Sequence, residues 1–143
     1  MYDLLQSTHS HFAWIVLVAI LGACLLAVFS LMSSKSLSPL QLKIVIFAMI
    51  SAHIQLLVGL ILYFISPFGI ANLSSETMKD SFARLQAVEH PIVNILAILI
   101  ITIGYRKVKK LSGTLKASNT VLIYYGIGLV LLLSRIPWKS WMS

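Results

Sequence analysis

Residues 44–65 read IVIFAMISAHIQLLVGLILYFI, apolar throughout except for Ser51, His53, Gln55 and the tyrosine hydroxyl of Tyr63, with no charge. A hydrocarbon core takes about 20 residues of helix at about 1.5 Å rise each, so this stretch is long enough to cross a bilayer. Working outward, residues 12–32, 86–105 and 120–137 have the same character. In a chain of 143 residues that is 59% hydrophobic and 10% charged, these four stretches leave little sequence for a water-facing core. The expected fold is an all-α membrane protein with one domain over residues 1–143. Short links force successive spans to be neighbours, which gives an antiparallel up-down four-helix transmembrane bundle. The first stretch differs from a cleaved signal peptide, because residues 1–6 carry Asp3 and no lysine or arginine. Cys24 is the single cysteine, so no disulfide forms within the chain.

The formal charge of +7 is unevenly distributed. Between spans one and two stand Lys35 and Lys43, and between spans three and four stand Arg106, Lys107, Lys109, Lys110 and Lys116, seven basic residues with no acid among them. The opposite side balances Lys79, Arg84, Arg135 and Lys139 against Asp3, Glu76, Asp80 and Glu89. The positive-inside rule turns the basic links to the cytoplasm and places the N- and C-termini on the periplasmic side of a bacterial inner membrane. The basic excess is then a topology signal that favours anionic lipid, and no nucleic acid is expected as a partner.

The link between spans two and three is the longest. Ser66-Pro67-Phe68-Gly69 is a turn sequence, and residues 72–75 offer N-caps ahead of Glu76. Over 76–89, Met78, Phe82, Leu85 and Val88 recur every three or four residues, which predicts an extra amphipathic helix before the third span, capped by Ser75. Pro91 follows at once and predicts a kink in a continuous helix. Pro39 suits the start of span two, and Ser118-Asn119 the N-cap of span four. Trp14, Tyr63, Trp138 and Trp141 fall where an outer interfacial belt is expected.

Strongly polar groups inside a membrane are costly and therefore informative. Here they are His9, Ser10 and His11 at the head of span one, His53 and Gln55 within span two, and Glu89, His90 and Asn94 at the head of span three. His9 and His11, two residues apart, point in different directions on a helix. Imidazoles on facing helices are the usual axial ligands of haem in a bundle, and two suffice for six-coordinate iron. Arg84 and Arg135 lie on the outer side, where haem propionates would need cations, while Phe12, Trp14, Gly59, Phe82, Ala97 and Gly126 offer flat or small walls. Each residue also has a plainer use: His53 as an interhelical hydrogen bond to Gln55, Asn94 or a carbonyl, His11 as an interfacial polar group, Arg135 as a snorkelling anchor. A non-haem site for Zn, Cu or Fe would draw on His53, His90 and His9 with Glu89, although no histidine pair has the helical spacing of three or four. No phosphate loop, Cys-x-x-Cys or recognisable nucleophile with its base is present.

His9-Ser10 followed by Trp14, the run Ala52-His53-Ile54-Gln55-Leu56-Leu57-Val58-Gly59, Val88-Glu89-His90-Pro91, and Ser134-Arg135-Ile136-Pro137-Trp138 together resemble a family of small four-span proteins of Bacteroidota. The arrangement is also similar to one four-helix half of haem A synthase and to transmembrane b-type cytochromes. That similarity implies haem b near the outer face, with His53, His90 and one of His9 or His11 as ligands. Ala13 stands where the resemblance leads one to expect an arginine beside the first tryptophan motif. The expected function is a haem-binding protein of b-type cytochrome character. It would transfer electrons between quinol or another redox protein and a partner, as a carrier or subunit rather than a stand-alone enzyme. The alternatives are a non-catalytic membrane subunit or assembly factor, as a homodimer or within a larger complex, and a non-haem metal-binding membrane protein.

Overall fold

A computed structural model describes residues 1–141. The described chain is helical with no strand, and four helices are long and apolar enough to cross a membrane. Helix α1 runs Tyr2–Met32, α2 Pro39–Ile65, α5 His90–Lys110 and α6 Leu115–Ser134. Between α2 and α5 lie a 3₁₀ turn at Ile70–Asn72, the short helices α3 (Ser75–Lys79) and α4 (Ser81–Arg84), and a π-helical turn at Leu85–Glu89; α7 (Trp138–Trp141) follows α6. The observed helices extend past the predicted spans at several ends, most at the start of α1, where ten further residues are helical.

The four long helices close into a bundle: α1 packs on α2 and α6, and α5 packs on α6 and α2. That ring sets α1 and α5 diagonally across it. Its interior is built from small and branched side chains, Ile20, Ala23, Ala27, Val45, Ala48, Ala52, Ile101, Val121 and Tyr125, all fully buried. Small residues let helices approach closely where the surrounding solvent offers no hydrophobic drive. At Gly104 an added Cβ would stand 2.3 Å from Tyr124 Cβ, and at Gly128 2.5 Å from Ile101 Cγ1, so α5 and α6 touch where only glycine fits. The outward faces carry Val18, Leu25, Phe29, Leu57 and Val130, each at least 60% exposed. An apolar surface of this kind in water would be an aggregation site, and against lipid tails it is the ordinary outer wall of a multi-pass membrane protein.

Polar groups inside the bundle are paired across helices. Tyr125 donates its hydroxyl to the Val45 carbonyl at 3.0 Å, and the Ser30 and Ser118 hydroxyls meet at 2.6 Å. Ser118 is thus a buried bridging residue. Helix α6 begins three residues earlier, with Thr114 as its N-cap, in place of the cap expected at Ser118-Asn119. At the head of α2 the Ser38 hydroxyl accepts from Gln41 N–H while the Gln41 side chain accepts from Ser38 N–H, a capping box with Pro39 in the first turn.

The segment expected as one amphipathic helix over 76–89 is divided at Asp80. Ser74, rather than Ser75, caps α3, its hydroxyl accepting from Thr77 N–H at 3.1 Å, and Asp80 caps α4 by accepting from Ala83 N–H at 2.7 Å. The π turn then leads directly into α5. His90 N–H donates to the Leu85 carbonyl, five residues back, immediately before Pro91, which has no N–H to donate. The missing donor is thus absorbed by a widened turn within a continuous helix Ser81–Lys110.

Candidate functional site

The start of α1, the end of α2, the start of α5 and the end of α6 meet at one end of the bundle around a cavity of about 350 Å³. Ligand sites run from about 300 to 1,000 Å³, so this one is at the small end and a bulky occupant would fill it. Leu56, Leu60, Phe82, Ile98 and Leu132 make apolar walls, and His9, Gln55, His90 and Asn94 supply the polar groups. The loop after α2 folds Phe68 and Gly69 onto the rim. Gly69 is required there, since a Cβ would lie 2.0 Å from the Tyr63 carbonyl oxygen.

His9 on α1 and His90 on α5 face each other across the bundle, ring centroids 6.3 Å apart and planes at 77°. The His90 Nδ1–H donates to the Arg135 carbonyl at 2.7 Å, which leaves Nε2 with the lone pair, and the Asn94 amide nitrogen lies 3.0 Å from that Nε2. His9 packs on the backbone of α2: a Cβ at Gly59 would stand 2.9 Å from its Cε1. One turn earlier on α2, the Gln55 amide donates to the His9 carbonyl at 2.8 Å. Among the described residues, three buried atoms here have no hydrogen-bond partner, His9 Nδ1, Gln55 Oε1 and Asn94 Oδ1.

The π turn shapes the rim. It brings Arg84, five residues before Glu89, to within 2.9 Å of Glu89 Oε1, while Arg135 at the end of α6 reaches Oε2 at 3.3 Å. The C-terminal segment closes the other side. Trp141 donates its indole N–H to the Ser10 carbonyl at 3.1 Å and stacks on Trp14 with centroids 4.6 Å apart.

The sequence candidates therefore separate. His9 and His90 come together. His53 does not line this cavity: its Nδ1–H donates to the Met49 carbonyl at 2.8 Å, and its Nε2 lies 3.3 Å from the Thr102 hydroxyl, which donates its proton to the Ile98 carbonyl at 2.6 Å. Of the partners weighed for it on sequence grounds, its clear bond is to a backbone carbonyl, that of Met49 on its own helix rather than across to Gln55 or Asn94. His11 is exposed and donates to the Ser7 carbonyl at 2.7 Å. Arg84 and Arg135 sit on Glu89 and are not among the residues lining the cavity, and of the expected walls Gly59 and Phe82 line it whereas Phe12, Trp14, Ala97 and Gly126 do not. Among the described residues no group of three His, Cys, Asp or Glu side chains is placed to hold a metal ion.

Sequence reading missed the pairing of Glu89 with Arg84, because a separation of five is not an α-helical neighbour spacing and becomes one only across a π turn. Trp141 carried an interfacial signal, but nothing in the spacing of residues ties it to Ser10.

Two imidazoles on facing helices are the donor chemistry that a bis-imidazole haem takes, and the rings of His9 and His90 would supply it. The His90 Nδ1–H bond to a carbonyl is the outer contact that commonly fixes a ligating imidazole. Binding through Nε2 would replace the Asn94 contact.

No known protein family matches the chain, and neither the curated proteins nor the solved structures include one similar to it.

Proposed function

We propose that the chain is a haem-binding membrane protein of b-type cytochrome character that transfers electrons at the outer face of a bacterial inner membrane. The observation that carries this reading is the pair of imidazoles, His9 and His90, brought from diagonal helices to the wall of one membrane-embedded cavity. Bound haem b would supply one-electron chemistry. The chain's part is to present His9 and His90, to wall the ring with Leu56, Phe82, Ile98 and Leu132, and to hold Arg84 and Arg135 near the rim. Both arginines are committed to Glu89, so haem propionates would compete with that carboxylate for them.

The same reading includes the bilayer arrangement. The four spans run alternately up and down, supported by the meeting of the α1 start with the α2 end at His9 and Gln55 and of the α1 start with the chain's last described helix at Ser10 and Trp141. Seven basic residues beside the α1–α2 and α5–α6 links support cytoplasmic links and periplasmic termini. Quinol or another redox protein would be the electron partner.

The test is the visible spectrum of protein purified in detergent after expression with ample haem. A low-spin spectrum with a sharp Soret band and split bands on reduction is expected. Colourless protein would instead favour a membrane subunit or assembly factor, a reading that the interhelical Tyr125–Val45 and Ser30–Ser118 contacts also serve.

A further inference from the structure

Gln55 and His9 share a mismatch. The Gln55 amide nitrogen must face the His9 carbonyl, since only it can donate, and this fixes the side chain so that Oε1 is the free acceptor. That oxygen is buried with no donor, and His9 Nδ1 is buried with no partner. The two residues are already bonded to each other, and the His9 ring edge bearing Cε1 and Nδ1 lies against Gly59, four residues along the same helix face as Gln55. A buried acceptor and a buried nitrogen, each costly alone, thus stand on neighbouring residues. At His90 the equivalent demand is met, with Nδ1–H held by the Arg135 carbonyl.

We infer that Gln55 is the positioning residue for His9. Its Oε1 accepts the Nδ1–H, fixes that tautomer and leaves Nε2 for the cavity, so that the two histidines present the same nitrogen. Gly59 leaves α2 without a side chain beside the His9 ring, which gives the imidazole room to meet that oxygen. The role in ligation rests on the haem reading, whereas the tautomer assignment concerns the protein alone.

The experiment uses the full chain in detergent, with ¹⁵N-labelled histidine and the His9 signals assigned by a His9→Gln variant. Without added haem, wild-type His9 is expected to be protonated mainly at Nδ1, and Gln55→Leu to shift the population toward Nε2–H. Gln55→Glu keeps an acceptor for Nδ1–H while giving up the donor to the His9 carbonyl, so Nδ1 should stay protonated in it, which separates loss of the acceptor from loss of the other bond in the leucine variant. With ferric haem b as the probe, Gln55→Leu should weaken binding by about 10- to 100-fold, the usual effect of losing an outer contact to a ligating histidine. Gln55→Glu should lower the reduction potential, because a carboxylate makes the imidazole a stronger electron donor. A wild-type His9 protonated at Nε2, or a tautomer unmoved in Gln55→Leu, overturns the inference whatever haem does. Gln55-dependent tautomers in a protein that takes up no haem would uphold the positioning role and refute the haem reading.

Discussion

His9 and His90 line the cavity whereas His53 and His11 do not, and this separates the expected outcomes of replacing each. His90→Ala should abolish or strongly shift a low-spin haem spectrum, and His11→Ala should leave it nearly intact, as absorption of the purified variants would show. His53→Ala should keep the spectrum and cost a little stability, because it removes a half-buried ring that bonds the Met49 carbonyl and packs beside Thr102; polar contacts between helices average about 0.6 kcal/mol and reach about 1.7. A lost spectrum in stably folded His53→Ala protein would return His53 to the ligand set. Gly59→Ala places a methyl carbon 2.9 Å from His9 Cε1, so the ring must move, and a weakened or altered Soret band with an unchanged fold is expected. Acid opposes ligation at either histidine, since only neutral imidazole offers a lone pair to iron.

At the scale of elements, the segment before α5 shows what periodicity conveys and what it leaves out. The spacing of Met78, Phe82, Leu85 and Val88 marks helical residues, but it does not register the break at Asp80, a residue that both ends α3 and caps α4. Proline at Phe82 would fall in the first turn of α4, where a missing N–H costs little, so it is no test of helicity there. Asp80→Ala is the sharper test. It removes the cap on Ala83 N–H and should cost about 1 kcal/mol in thermal unfolding. The packing of α5 on α6 gives a larger effect. Gly128→Leu inserts atoms where a Cβ alone would lie 2.5 Å from Ile101 Cγ1, and overpacking of this kind costs about 1–3 kcal/mol or more. An unchanged melting temperature would show that the two helices separate freely. Pro91 announced a departure from regular helix in the sequence; that the departure is a π turn follows from where His90 N–H finds an acceptor, which depends on the fold.

For the whole molecule, the four spans were legible because a bilayer demands long uncharged runs, a constraint written in consecutive residues. Charge placement predicts orientation in the same way: a reporter fused after the last residue should behave as periplasmic, and cytoplasmic activity there would invert the assignment. The site was only half legible. Depth along each helix follows from counting residues, but which histidines meet depends on how each helix is rotated about its axis, and that is set by contacts such as Tyr125 on Val45 and Gly104 beneath Tyr124. One contact links the ends of the described chain, the Trp141 indole seated on the Ser10 carbonyl and stacked on Trp14. A ribosome makes Ser10 first and Trp141 about 130 residues later, at about 5–20 residues per second. His9 is therefore made several seconds before the tryptophan that completes the cavity wall beside it, so the wall of the cavity is finished only once residues far downstream have joined the bundle.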